Sequence, residues 1–228
     1  MKTFIDYECP NCKNKFKIAV YPMINLQSEN YLYEDLFSLD LFNVKCSACK
    51  KTSLIQYNTL IVDMYKKYIV YLLIDKSVNL ETLVAGLKQN PEYSKVFEDL
   101  KYTRLVGSLN EMLEKLLIFD YDLNDKVIEV LKLGLYSNNR LDKEKYPNIC
   151  FNKLEKENLI FTCFCAGNKE VQPIDITVNI KFYNMMIDKL NGLPEENLDF
   201  EYIDSIWAKM QVFETETETE QKTETETK

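Results

Sequence analysis

A chain of 228 residues, 46% hydrophobic and 28% charged, is long enough for one large domain or two small ones with real cores. It contains no histidine, which removes the usual general base, the Ser-His and Cys-His nucleophile pairs and every histidine-bearing metal site, and its five glycines form no phosphate-cradling loop. Half of the formal charge of −8 sits in the last fifteen residues, with six Glu and two Lys, and the mildly acidic remainder is poorly suited to duplex DNA.

Phe4-Ile5-Asp6-Tyr7-Glu8 predicts a short strand that delivers Cys9-Pro10-Asn11-Cys12. A Cys-x-x-Cys turn converges two sulfurs on one ion, and Cys46-Ser47-Ala48-Cys49 supplies a second such turn, so the four thiolates complete a tetrahedral zinc shell with no open position. The expected cofactor is therefore one structural Zn2+ held by Cys9, Cys12, Cys46 and Cys49. The rival for a Cys-x-x-Cys is redox chemistry at a helix N-terminus. Against it, Lys13 to Val20 alternates charged and apolar side chains, the period of a half-buried strand, and Lys51 to Tyr57 reads as a strand after the second pair.

Lys13, Lys15, Lys17, Lys45, Lys50 and Lys51 crowd the two turns. They admit two readings, a nucleic-acid patch or compensation for the formal −2 of a tetrathiolate zinc; the second is adopted, because binding patches usually spread over a whole face.

The second strand stops at Pro22, and an insertion follows in which Leu32, Leu36, Phe37 and Leu41 predict a short amphipathic helix. After the second turn, Ser53–Asn58, Leu60–Met64 and Tyr68–Ile74 read as strands, with Tyr65-Lys66-Lys67 at a hairpin turn. Residues 1–77 are thus expected to form an antiparallel zinc-ribbon sheet.

Beyond Asp75 the period changes to 3.6. Asn79 caps a helix carrying Leu80, Leu83, Val84 and Leu87 that ends at Asn90-Pro91. Lys101 to Val106 suggests a strand. Ser108-Leu109-Asn110-Glu111 fits a capping box, and the stripe Leu109, Met112, Leu113, Leu116 and Leu117 is followed by a second one with Val127, Ile128, Leu131 and Leu135. A helical hairpin over about 108–136 follows. Asp122, Asp125 and Glu129 cluster there, and helix capping and the helix dipole account for them without catalysis.

CPNC, the long insertion, CSAC, LIVDMYKKYIVYLL and NEMLEKLLIFDYDLNDKVIEVLK together resemble the bacterial and archaeal CpXC proteins, from Cys9 to about Lys132. The resemblance implies a zinc-ribbon-like domain in which Cys9, Cys12, Cys46 and Cys49 occupy the family's cysteine positions; the family has no established activity to carry over. Two departures stand out. The second pair lacks the proline of the first, and Lys13 and Lys50 stand where zinc knuckles often have glycine.

Residues 78–213 complete an α/β body. Leu159–Phe164 and Ile174–Ile180 are β-like, Phe182, Tyr183, Met186, Ile187 and Leu190 form a helix stripe closed by Gly192, and Ile203, Ile206, Trp207 and Met210 form the last. Cys150, Cys163 and Cys165 are read as small buried hydrophobes in preference to a second metal site. The Glu-Thr repeat of 214–228 reads as a disordered, solvated tail.

The expected fold class is α+β. The functional expectation is a zinc-binding, non-catalytic protein-interaction or regulatory module with an unidentified protein partner, a nucleic-acid-binding ribbon and a redox-responsive zinc switch being the alternatives. Seven cysteines without a disulfide framework and the lack of a long apolar run predict a cytoplasmic protein with no membrane partner.

Overall fold

The computed structural model describes residues 2–90, 100–137, 141–165, 172–190 and 200–211. The architecture is α+β, as the two periodicities predict, and the chain divides into two compact units. One comprises Met1–Leu113 with Glu196–Glu201, and the other Glu114–Glu195 with Tyr202–Lys228. Among the described residues no helix is long and apolar enough to cross a membrane.

The first unit opens with a ribbon. Strand β1, Thr3–Glu8, pairs antiparallel with β2, Lys15–Val20, and β4, Asn43–Lys45, pairs antiparallel with β5, Thr52–Leu54. The alternation in β2 puts Ile18 and Val20 inward, where they meet Val44 of β4 and are flanked by Tyr7, Phe16, Ile55 and Tyr57. Three buried side chains make up the centre of this core, too few to order two two-stranded sheets unaided.

The insertion runs through β3, Met23–Asn25, and a helix α1, Tyr33–Phe37, with a 3-10 turn on either side. Leu32, Leu36 and Leu41 are buried as the spacing predicts. Neither β3 nor β4 is expected from the sequence, because three residues are too few to show a period.

Strand β3 joins β6, Thr59–Asp63, β7, Tyr68–Leu72, and β8, Tyr102–Val106, in a four-stranded sheet of order β3-β6-β7-β8. Only β6 and β7 are antiparallel; the outer pairings are parallel. The sheet is mixed, and β8 lies beyond residue 77, where the sequence reading placed the end of the first domain. All five residues of β7 are buried. One face carries Leu60, Val62, Ile69, Tyr71, Leu73 and Leu105 against Leu87 of helix α2, Leu80–Gln89. Asn79 caps α2, its side chain accepting from Thr82 N at 2.9 Å.

Helix α3, Leu109–Asp120, starts as expected at Ser108, whose Oγ accepts from Glu111 N. The reciprocal half of the capping box is displaced by one residue, with Glu111 Oε2 accepting from Gly107 N at 2.8 Å.

In the second unit α4, Asp125–Ser137, meets Glu114 and Lys115 of α3 through its charged side chains. Between them lies a set of buried charges. Lys115 Nζ donates to Ile203 O at 2.6 Å and lies 3.4 Å from Glu129 Oε1, while Lys132 Nζ reaches Glu114 and Glu129 at 3.0 Å each. Glu114 Oε1 also accepts from Phe151 N at 2.6 Å. Asp125 Oδ2 also pairs with Lys115 Nζ, so Asp125 and Glu129 are bound into an interior ion network, correcting their assignment to helix capping. Burial raises the Glu129 pKa from its ordinary value, against the pull of Lys115 and Lys132. For Lys132 burial acts downward, but Glu114 and Glu129 outweigh it and hold the ammonium above its ordinary pKa.

The sheet of this unit is antiparallel in order β11-β10-β9, formed by β9, Asn148–Glu155, β10, Asn158–Phe164, and β11, Ile174–Asn179. Helix α5, Ile180–Leu190, buries Tyr183, whose hydroxyl accepts from Asn124 N at 2.7 Å, but Phe182 points outward and is half exposed. The last helix, 205–211, differs from its predicted stripe: Ala208 faces inward, and Ile206 and Met210 are exposed. Gly192 and the Glu-Thr repeat lie outside the described residues.

Candidate metal centre

Each cysteine pair sits in a tight turn between two antiparallel strands, and the two turns are built alike. In the first, Cys9 N donates to Asn14 O and Lys13 N to Cys9 O, both at 2.9 Å. In the second, Cys46 N donates to Lys51 O at 2.9 Å and Lys50 N to Cys46 O at 3.0 Å. The pattern requires a left-handed residue after the second cysteine; Lys13 adopts φ 61° and Lys50 φ 62°. The lysines thus take the backbone conformation for which glycine is the usual choice, and the departure from the knuckle pattern leaves the turn intact.

Both turns point their sulfurs at one spot. Cys9 Sγ lies 3.7 Å from Cys49 Sγ, and Cys12 Sγ 3.6 Å from Cys46 Sγ. All four sulfurs fall within 4.8 Å of one another. A tetrahedral ion with metal–sulfur bonds of about 2.3 Å needs sulfur–sulfur edges of about 3.8 Å, so the donor set fits a tetrathiolate metal site. The first cysteine of each pair is buried and the second more open, Cys12 being exposed and Cys49 intermediate.

Backbone amides favour the thiolate form here. The Lys51 amide leads in bringing Cys49 down to about 6, despite burial, and the Cys49 and Ala48 amides lower Cys46. At Cys12 the Asn14 amide also acts downward, but desolvation beside the other sulfurs and hydrogen bonds with those of Cys49, Cys46 and Cys9 together carry it to about 11. Such amide–sulfur contacts are the outer support that a bound ion's thiolates require.

The turns are also tied to each other. Lys51 Nζ donates to Asn11 Oδ1 at 2.8 Å, and Asn14 Nδ2 to Ser47 Oγ at 3.4 Å. Lys50 Nζ closes on Ser47 O at 2.7 Å. Lys13 and Lys15 lie 3.6 and 3.7 Å from the Glu8 carboxylate. Four of the six lysines around the cysteines are thus engaged within the ribbon.

The remaining cysteines do not assemble. Cys163 is buried in β10, and Cys165, beyond the end of that strand, donates from Sγ to Gln172 O at 3.6 Å. Cys150 pairs in register with Thr162, so it projects from the face opposite Cys163. Burial, reinforced by Glu114, pushes the Cys150 thiol up to about 12, which suits an inert side chain.

Residues 7–132 match the family model for CpXC protein. The chain belongs to the CpXC protein family. No curated protein and no solved structure matches it. The CpXC match takes in both cysteine turns, the insertion between them, the four-stranded sheet and the helices as far as Lys132.

Proposed function

We propose that this CpXC chain is a zinc-stabilised, non-catalytic protein-interaction module. The observation that carries the reading is the convergence of four cysteine sulfurs at tetrahedral spacing from two turns of the same build. Zinc suits this donor set because it prefers four thiolates and holds them without redox chemistry. Four protein ligands leave no position for a substrate or an activated water, which separates a structural site from a catalytic one. The small ribbon core explains what the ion is for, since zinc binding supplies on the order of 10 kcal/mol in small finger domains.

The strand setting of both pairs supports structural zinc over thiol exchange, which relies on a cysteine at a helix N-terminus. The lysines engaged by Glu8, Ser47 and Asn11 support charge compensation over a nucleic-acid face. The partner is a protein in this reading.

Two measurements test it in order. Metal analysis of freshly purified reduced protein is expected to find one zinc per chain, and its absence defeats the proposal. A pull-down from the native host should then recover a protein partner with the intact chain and lose it after chelation.

A further inference from the structure

The insertion between the two cysteine turns also forms a groove of about 530 Å3, lined by Leu26, Asn30, Tyr31, Tyr33, Glu34 and Asp63. Its walls are placed by strand register. Strand β3 runs parallel to β6 with Asn25 beside Val62, and Leu26 N donates to Val62 O at 2.9 Å, so Leu26 and Asp63 leave the sheet side by side.

Past Leu26 the chain folds back onto Asn25. The Asn25 carbonyl accepts from Ser28 N and Glu29 N, its side chain accepts from Gln27 N, and Glu29 Oε2 accepts from Asn25 N. That knot fixes the start of the next turn. The buried Leu32 and Leu36 anchor the segment from below, and Tyr31, Tyr33 and Glu34 are left on the groove. On the opposite wall Asp63 Oδ1 accepts from Tyr65 N and Lys66 N, both at 2.9 Å, which holds the carboxylate in position.

The lining combines two phenol rings, 69% and 38% exposed, two carboxylates and an apolar floor at Leu26, with no lysine or arginine among the six residues. Ring faces and carboxylates both attract cations, and an aliphatic stem fits against ring and leucine. A phosphate would meet like charge. A groove this size exceeds a lone ammonium and admits a side chain with its flanking backbone. We infer that the groove receives a lysine or arginine side chain of a partner protein. This inference rests on the interaction-module reading and specifies the partner as one presenting a basic side chain.

The test uses full-length, zinc-loaded protein with 13C-labelled tyrosine rings, titrated with the peptide Ac-Ala-Ala-Lys-Ala-Ala-NH2 and its Arg and Glu counterparts. Saturable shifts of the Tyr31 and Tyr33 ring signals are expected with the Lys and Arg peptides and none with the Glu peptide. Each of Tyr31→Ala and Glu34→Gln, both exposed positions, should weaken binding by about fivefold, the scale of one cation–π or ion contact. Glu155→Gln, exposed in the other unit, should leave it unchanged. No saturable shift at millimolar Lys peptide, undiminished binding by Glu34→Gln, or displacement of the peptide from these rings by oligothymidylate overturns the inference. A partner retained equally by the parent and by Tyr31→Ala overturns the groove while sparing the module; a zinc-free chain that still binds the Lys peptide spares the groove while overturning the zinc-stabilised module.

Discussion

Lys115 Nζ sits 3.0 Å from Asp125 Oδ2, with the two side chains 4% and 0% exposed. The ammonium has three donors and meets three acceptors, Asp125 Oδ2, Glu129 Oε1 and Ile203 O, so its hydrogen-bonding capacity is met. Lys115→Met strands buried carboxylates and is expected to cost about 3–5 kcal/mol in urea unfolding. An unchanged midpoint would refute the network's role.

The same network contains three carboxylates and two ammonium groups, and burial raises the Glu129 pKa from 4.5. A raised carboxylate contributes stability that is complete below its unfolded pKa and is lost as pH climbs through its folded value. Relative to Glu129→Gln, the parent should therefore lose stability steadily from pH 4.5 upward. Urea midpoints of the two proteins between pH 4.5 and 8 check the sign, and parallel curves would contradict it.

Lys13 and Lys50 hold a conformation that costs a residue with a β-carbon about 1–2 kcal/mol. Glycine removes that cost but enters with a more mobile unfolded chain, so Lys13→Gly and Lys50→Gly should each gain about 0.5–1 kcal/mol. Lys13→Val should lose stability by at least as much. The time course of zinc loss to a chelator, slower in the glycine variants and faster in the valine one, reads this directly.

Cys9→Ser and Cys46→Ser each take one thiolate from the proposed zinc shell, which has no spare ligand. Both should lose the zinc equivalent, and the ribbon through β5 should become protease-sensitive while the second unit keeps its helical circular dichroism. A Cys46→Ser protein as resistant as the parent would contradict the structural role.

Reversing charge at Lys13, Lys15, Lys50 and Lys51 removes groups that pair within the ribbon. In a low-salt filter-binding assay, neither the native chain nor the reversed variant is expected to retain nucleic acid. Retention by the native chain that the reversal abolishes would restore the nucleic-acid reading.

The cysteine cluster was legible because Cys-x-x-Cys spacing encodes geometry locally, and β2 and β7 were legible because their side chains alternate or run apolar for long enough. β3 and its parallel pairing with β6 were not, since register between distant segments leaves no trace in either one. The left-handed lysines ran against the glycine rule: turn hydrogen bonds and the convergence of the sulfurs set the conformation and the side chain tolerates it. The interior ion network was concealed because Glu114, Lys115, Asp125, Glu129 and Lys132 look like ordinary solvated helix charges. The available signal was the helix around them, where Met112, Leu116, Ile118 and Phe119 bury more than one face and leave no polar side for Lys115.

The chain returns late in its course to structures begun early. Glu201 lies beside Arg104, and its carbonyl accepts from Leu105 N at 2.9 Å; two residues later Ile203 delivers the third acceptor of Lys115. The residues that match the family end at 132, within α4. A fragment trimmed to that match would lose both returns, along with the Phe151 amide that satisfies Glu114. It would carry an interior lysine short of an acceptor and an interior glutamate short of a donor. Boundaries for expression are better set by these late contacts than by the extent of recognisable sequence.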